Sequence, residues 1–379
     1  MSVPEGPRVT SISPLRLAIV HEKFTVDAGA ERCVEQFHHL WPDAPIFTTV
    51  CDPSTLPGTL RDADIRPSPW LSRLYAGGDR YAHLLPLLGP ALARHDLRDY
   101  DVIVTSHHAF ANRIRPRPDA TVVAYTHTPA RWLWDPEMRA HEVGGRLGRY
   151  ALGTFAATQR RPDRRAAQRV NAFAANSTEV AARIERWWGR ESVVVAPPVD
   201  TEFFTPIDQT RDDFFLVAGR LVPYKRPEVA VAAAREAGVR LVVAGDGRAR
   251  ERCESVAGPD TEFIATPSRE TLRDLFRRCR ALLYPGVEDF GIMPVEAQAC
   301  GAPVIALDAG GARDTVIDAI TGVRYARTAD PVGQLAAQLR DFDDRRFSPD
   351  RIRTHATTFG IERFRATIRA LVDTASARP

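Results

Sequence analysis

The sequence lacks a long apolar segment. Apolar residues make up 44% of its 379 positions, a share typical of globular proteins. They never run for the roughly 18 residues that a membrane-spanning helix needs. Residues 1–14 are rich in proline and serine and lack the basic start and apolar core of a signal peptide. We therefore expect a disordered lead followed by a protein of the cytoplasm.

Charge of one sign is not in excess either. The 51 basic and 48 acidic residues give a net charge of +3, so the bulk charge does not predict a nucleic-acid partner. Cysteine is scarce: the five cysteines are an odd number, and no two of them have C-x-x-C spacing. We expect reduced, mostly buried thiols, and neither a metal centre nor a redox centre.

Short apolar runs alternate with helical segments along both halves of the chain. The predicted strands include residues 15–20, 46–50, 65–67 and 193–195 in the first half, and residues 214–218, 281–284 and 304–307 in the second. Alternation of this kind predicts the α/β class with parallel sheets. Because it occurs twice, we predict two doubly wound domains that face a cleft.

The stretch 287–305 carries the strongest indication of a binding site. Pro294 suits the first position of a short helix, and Gly301 suits a left-handed stop before the next strand. Glu288 then lies in the loop before the helix and Glu296 in its first turn, where two carboxylates could accept hydrogen bonds from sugar hydroxyls. For Glu296 the alternative is compensation of the helix dipole.

This stretch resembles a known signature. Glu288 and Glu296, with Phe290, Gly291 and Ile292 between them, resemble the E-x7-E signature of the retaining GT-B-fold glycosyltransferases of family 4, or group 1. The resemblance implies that Glu288 acts in catalysis by holding the donor sugar. It also implies that the other four residues bind the donor, with Glu296 on the ribose.

Arg220 and Lys225 flank a turn that follows the predicted strand 214–218. Two cations there can offset the charge of a diphosphate without a metal ion; a pair of surface bases is the alternative that spacing leaves open. Residues 219–225 resemble the G-R-L-x-x-x-K motif of the same family. The resemblance implies that both side chains act in catalysis on the donor phosphates.

Gly29 lies between the first predicted strand and a helix predicted from about residue 30 to residue 39. Backbone N–H groups at a helix start can bind a phosphate, although a loop glycine also serves simply as a turn residue. Residues 28–32 resemble the Gly-Gly-Ala-Glu-Arg loop of the family, with Ala28 in place of the first glycine. The resemblance implies that Gly29 contacts the donor diphosphate.

His127 follows a predicted strand, at the end of a parallel sheet where ligands bind. A lone histidine there is often only structural. Residues 125–135, however, resemble the H-T-P-x-R-x-L-W-D segment of a mannosyltransferase-like subset of the family. The resemblance implies that His127 acts in catalysis through a hydrogen bond to a donor-sugar hydroxyl, and not as a metal ligand.

The resemblance also implies the domain plan and the activity. We expect a GT-B fold with an acceptor-side domain at 15–204, a nucleotide-sugar domain at 205–358 and a C-terminal segment at 359–379 whose helix packs back on the first domain. The implied activity is metal-independent, retaining hexosyl transfer without a cofactor. The donor would be a nucleotide-sugar, with GDP-mannose preferred, and the acceptor a hydroxyl of a glycan, a lipid-linked sugar or a small molecule. Alternatives are a UDP-sugar donor, a nucleotide-sugar epimerase, and a non-catalytic nucleotide-binding protein.

The segment 70–97 interleaves apolar residues with arginine and histidine. Such a pattern suits peripheral contact with an anionic lipid surface, here the inner face of the membrane. It equally suits helices that pack on their own sheet with basic outer faces. In either case we expect two glycines and two prolines to interrupt a continuous helix: Gly77, Gly78, Pro86 and Pro90.

Overall fold

The computed structural model describes residues 15–26, 28–75, 84–136, 138–139 and 145–377. The lead predicted for residues 1–14 and the glycine pair of the 70–97 segment lie outside the described residues. Among the described helices, none combines the length and the apolar character that crossing a bilayer requires.

Two parallel sheets organise the chain. The first contains β1 (Leu17–His21), β2 (Ile46–Thr48), β3 (Ile65–Pro67), β4 (Val102–His107), β5 (Thr121–Thr126), β6 (Ala172–Ala175) and β7 (Val193–Val194). The second contains β8 (Phe215–Ala218), β9 (Leu241–Ala244), β10 (Thr261–Ile264), β11 (Leu282–Tyr284), β12 (Val304–Leu307) and β13 (Gly322–Tyr325). We call the parts of the chain around them the N-terminal and C-terminal domains.

Both sheets have the strand order of a doubly wound fold. The first runs β3-β2-β1-β4-β5-β6-β7 and the second β10-β9-β8-β11-β12-β13. In each, the order reverses beside the first strand of the domain, which opens a crevice at the carboxyl ends of the strands. The predicted α/β class with two Rossmann-like domains is confirmed.

Helices connect the strands. In chain order they are α1 (Gly29–Leu40), α2 (Pro69–Ser72), α3 (Leu85–Leu92), α4 (Arg131–Trp134), α5 (Arg146–Ala167), α6 (Thr178–Trp188), α7 (Pro227–Ala237), α8 (Arg250–Val256), α9 (Arg269–Arg278), α10 (Ile292–Ala299), α11 (Ala312–Thr315), α12 (Pro331–Arg340), α13 (Pro349–Thr357) and α14 (Ile361–Ser376).

The sequence predicted that Pro86 and Pro90 interrupt a continuous helix, but α3 includes both positions. Pro86 is its second residue, where an N–H group would have no partner within the helix. Pro90 lies inside the helix and removes one backbone hydrogen bond close to its end. Leu88 and Leu92 of this helix are buried in the core of the N-terminal domain, and this burial offsets the lost bond.

The last helix, α14, packs on the N-terminal domain. The ring of Phe364 stacks on Phe37 of α1 with centroids 5.9 Å apart, and it meets Tyr125 of β5 edge-on at 5.4 Å. Nε of Arg365 donates a hydrogen bond to Oε1 of Gln36 at 2.8 Å. Helix α14 therefore completes the core of the domain to which α1 and β5 belong.

Phe364→Ala tests this packing. The side chain is only 3% exposed, so its removal leaves a cavity between α14, α1 and β5. We expect a loss of about 3–5 kcal/mol in the free energy of unfolding of the N-terminal domain, measured by urea denaturation followed by circular dichroism.

Arg363→Ala is the matched control. Arg363 is the preceding residue of α14 and is exposed to solvent, so its truncation should change the stability by no more than about 0.5 kcal/mol. An equal loss in both variants would contradict a specific role of the Phe364 ring.

Candidate active site

A cleft lies where loops that follow strands of both sheets face each other. It encloses about 510 Å³, within the range typical of ligand pockets. The loops after β1, β4, β5 and β6 line one side, and those after β8 and β11 line the other. All nine site residues predicted from the sequence are part of this lining: Gly29, His127, Arg220, Lys225, Glu288, Phe290, Gly291, Ile292 and Glu296.

The loop before α10 is anchored by backbone contacts. The N–H of Gly311 donates to the carbonyl oxygen of Glu288 at 2.9 Å. A Cβ at Gly311 would lie 2.2 Å from Cα of Phe290, so only glycine permits this approach. The ring of Phe290 is buried and meets Phe359 edge-on at 5.7 Å. The sequence pattern around Glu288 did not predict these supports.

The helix α10 begins two residues before the predicted position. Gly291, at φ +92°, adopts the left-handed conformation directly before it, and Ile292 is its first residue. Pro294 is the third residue, where a missing N–H costs no helical hydrogen bond. Glu296 is consequently the fifth residue, and the prediction that it lies in the first turn is wrong.

Glu296 lies against a basic side chain of the other domain. Nη1 of Arg32 donates to Oε1 of Glu296 at 3.1 Å. Burial raises the pKa of Glu296, and the charge of Arg32 offsets only part of this effect. Arg32 lies within the 28–32 loop motif but was not predicted as a site residue.

Lys225 and Glu288 form an ion pair inside the cleft. Nζ of Lys225 lies 2.9 Å from Oε1 of Glu288, and both side chains are about one-fifth exposed. Lys225 ends the 3-10 turn Pro223–Lys225, just after β8. Arg220 lines the same part of the cleft, is exposed, and has no ion pair among the described residues. Together they place two cations and one carboxylate beside the space a ligand would occupy.

Gly29 is the first residue of α1 and faces the C-terminal domain. A Cβ there would lie 2.6 Å from Cδ1 of Ile292, so the two domains meet at this glycine. The backbone N–H groups of the first turn of α1 have no partners within the helix. They are available to an anion in the cleft, which is the arrangement that the loop motif predicts.

His127 lies at the carboxyl end of β5. Its Nε2 is 2.8 Å from Oγ of Ser106, and its ring stacks on that of His108 with centroids 4.8 Å apart. Burial lowers the pKa of His127 well below its usual range, and neighbouring histidines lower it further. His127 is therefore a neutral imidazole near pH 7.

The acidic side chains of Asp289 and Asp314 also join the domains, and their contacts were not predicted. The carboxylate of Asp289 forms an ion pair with Arg183 of α6 and lies 3.5 Å from Nη1 of Arg131. Asp314 accepts hydrogen bonds from the N–H of Thr178 at 2.7 Å and from its hydroxyl at 2.6 Å. Asp289 directly follows Glu288, so the loop that carries Glu288 also contacts the N-terminal domain.

Two family models match the chain. The model of the glycosyl transferases group 1 matches residues 199–357, and the model of the glycosyltransferase family 4 matches residues 28–203. The two matches follow one another and include most strands of both sheets. The chain belongs to the group 1 glycosyltransferases with the GT-B fold.

Curated relatives match part of this glycosyltransferase chain. The D-inositol 3-phosphate glycosyltransferase of Mycolicibacterium paratuberculosis is 36% identical over 155 residues, which are 35% of this chain and 35% of that protein. That of Kribbella flavida is 35% identical over 182 residues, which are 39% and 43% of the two chains. The matches thus span less than half of the length of these relatives.

Solved structures match nearly the whole chain. Sucrose-phosphate synthase from Thermosynechococcus elongatus superposes with a TM-score of 0.71 at 16% identity, over 95% of this chain and 98% of that one. Anabaena Alr3699/HepE in complex with UDP gives a TM-score of 0.67 at 17% identity, over 95% and 100%. At such identities the likeness concerns the fold.

Glu296→Gln tests the electrostatics of the cleft. The pKa of Glu296 is raised from 4.5 in the folded protein. At pH values between 4.5 and this raised pKa, the folded state therefore holds more protons than the unfolded state. Its contribution to the free energy of unfolding is therefore fully present below about pH 4.5 and is lost as the pH rises through the raised pKa. The variant lacks this loss, so we expect its stability relative to wild type to improve with rising pH.

Chemical denaturation at several pH values between about 4.5 and 7 measures the difference. Glu251→Gln, at an exposed position outside the cleft lining, is the control. A relative stability of the Glu296→Gln variant that does not change with pH would contradict the raised pKa.

Proposed function

We propose that the protein transfers a hexosyl unit from a nucleotide-sugar to a hydroxyl of an acceptor, with retention of configuration at C1 of the sugar. The observation that supports this best is the Lys225–Glu288 pair beside an exposed Arg220 in one cleft. Two cations next to a carboxylate suit a ligand that carries both a diphosphate and sugar hydroxyls. The volume of the cleft suits a ligand of this size.

In the proposed reaction the bond between C1 and the leaving phosphate oxygen breaks first, and its electron pair goes to the phosphate. Arg220, Lys225 and the N–H groups at Gly29 stabilise the growing charge, because they are already in place when it forms. The acceptor oxygen attacks C1 on the face that the phosphate leaves, and its proton passes to that phosphate. The proposal therefore needs no metal and no carboxylate pair of the glycoside-hydrolase type.

The remaining side chains orient the donor in this proposal. Glu288 holds sugar hydroxyls, Glu296 the ribose, and His127 a further sugar hydroxyl, since each offers a hydrogen-bond acceptor. Glu296 already pairs with Arg32. Ribose binding must therefore share this carboxylate with the arginine.

GDP-mannose is the donor that we propose, because residues 125–135 resemble the corresponding segment of mannosyltransferase-like enzymes. A UDP-sugar satisfies the same contacts and is the second candidate, since Anabaena Alr3699/HepE, of the same fold, was solved with UDP. The acceptor is a hydroxyl of a glycan, a lipid-linked sugar or a small molecule. Peripheral membrane contact is a hypothesis tied to the lipid-linked case.

Lys225→Met tests the proposed role of the cation. The variant keeps an unbranched side chain of similar length but removes its charge, so we expect kcat for donor turnover to fall about 10²- to 10³-fold. Arg248→Met is the matched control, because Arg248 is exposed and lies outside the cleft lining. Glu288→Gln should lose turnover as well, and full activity in either cleft variant would contradict the assigned roles.

A thermal-shift panel of GDP, UDP, ADP and their common sugar conjugates tests the donor. We expect stabilisation by GDP compounds, because a ligand that binds only the folded state raises the melting temperature. Stabilisation by UDP compounds alone would overturn the mannosyl proposal but keep the reaction. Interconversion of the donor sugar without transfer would favour the epimerase, and tight binding without turnover a non-catalytic protein.

A further inference from the structure

A buried chain of polar groups connects the start of α1 to the cleft. Oε1 of Glu31 lies 3.4 Å from Nε2 of His21. Nδ1 of His21 lies 3.0 Å from Oγ of Ser106, and the same oxygen lies 2.8 Å from Nε2 of His127. Glu31, His21 and Ser106 are at most 2% exposed, whereas His127 lines the cleft. The first three residues have no role in the proposed reaction.

The positions of the protons along these hydrogen bonds can be assigned one by one, starting at the carboxylate of Glu31. Burial opposes the charge of Glu31, but the hydrogen bond with His21 lowers the pKa of the carboxyl. An ionised carboxylate only accepts hydrogen bonds, and Oε2 accepts one from the N–H of Ala28 at 3.2 Å. Nε2 of His21, which faces Oε1, must therefore carry a proton.

The direction of the remaining hydrogen bonds depends on whether the His21 ring carries one proton or two. In a neutral His21 ring that is protonated on Nε2, Nδ1 is an acceptor and receives the hydroxyl proton of Ser106. Ser106 has no second proton, so its oxygen accepts the N–H of His127 Nε2. A second proton on the His21 ring would form an ion pair with the carboxylate of Glu31 and would reverse both bonds, so the tautomer of His127 reports which form of His21 is present.

We propose that the His21 ring carries its single proton on Nε2, and that Glu31, His21 and Ser106 are positioning residues that hold His127 in its Nε2–H tautomer, so that Nδ1 accepts the proton of a substrate hydroxyl. Nδ1 makes no hydrogen bond with any described residue, and His127 lines the cleft. The ring of His108, stacked on that of His127, restricts its orientation. The identity of the hydroxyl rests on the proposed function, whereas the tautomer is a property of the free protein.

Histidine-labelled protein and long-range ¹H–¹⁵N correlation spectra measure the tautomer directly. We expect a pyridine-type Nδ1 and a pyrrole-type Nε2 for His127 in the wild-type protein. Ser106→Ala removes the connecting hydroxyl, and the His127 signals should then shift toward those of a mixture of tautomers. Ser106→Thr retains a hydroxyl and should restore the wild-type pattern.

His107 is the internal control for these spectra. Its Nδ1 accepts the backbone N–H of Asn112 at 3.3 Å, which fixes its tautomer independently of Ser106. Its signals should therefore stay the same in every variant that folds. A pyrrole-type Nδ1 of His127 in the wild-type protein, or unchanged His127 signals in the Ser106→Ala variant with its fold intact, would overturn the proposal.

Competition binding with modified donors gives a second readout. In these GDP- and UDP-sugars each sugar hydroxyl in turn is replaced by hydrogen or by fluorine, which accepts but cannot donate a hydrogen bond. At the hydroxyl that His127 contacts, both replacements should weaken binding equally, by about 5- to 10-fold, because Nδ1 has no proton to offer. Tighter binding of the fluoro analogue than of the deoxy analogue at every position would overturn the inference while leaving the transferase activity in place.

Failure of the proposed function gives a different result. If none of the nucleotide-sugars binds but His127 shows the Nε2–H tautomer and responds to Ser106→Ala, the positioning role is supported. The absence of nucleotide-sugar binding would at the same time overturn GDP-mannose as the proposed donor.

Discussion

Pairing of charge along the stretch from residue 288 to residue 296 connects the two domains. Each of the three carboxylates in this stretch lies against a basic side chain: Glu288 against Lys225, Asp289 against Arg183, and Glu296 against Arg32. The first pair lies within the C-terminal domain, and the other two cross the cleft. Removing one partner would leave a partly buried charge uncompensated, which is costly. One short stretch therefore shapes the cleft and holds its two walls together.

Much of the fold is predictable because parallel strands covered by helices have no polar face. Strands such as β4 and β12 are buried along their whole length and form continuous runs that local patterns identify. Loops at the carboxyl ends of such strands are where ligands bind in doubly wound sheets. Lys225 and His127 follow β8 and β5, and for that reason their common location could be expected before their contacts were known.

The contacts between site residues could not be predicted, because they depend on packing between distant parts of the chain. Arg32 and Glu296 are 264 positions apart, and no local pattern relates them. The start of α10 shows a different limit. Proline suits a first helical position, but the left-handed conformation of Gly291 starts the helix earlier and moves Glu296 into the second turn. There the conformation of the loop that Gly311 anchors outweighs the preference of proline for the first helical position.

The pair of Arg32 and Glu296 also bears on how a donor would be held. Burial alone would favour the protonated, neutral form of Glu296, which is a poorer acceptor than a carboxylate. The guanidinium of Arg32 offsets part of this rise in the pKa of Glu296 and so favours the ionised form. A carboxylate has about four acceptor positions, and the one hydrogen bond from Arg32 leaves room for two ribose hydroxyls. These hydroxyls are uncharged and cannot replace the arginine as a counter-ion, so donor binding at Glu296, as proposed, would require the N-terminal domain to stay close. In the proposed reaction, ribose binding and domain approach would thus be coupled through one carboxylate.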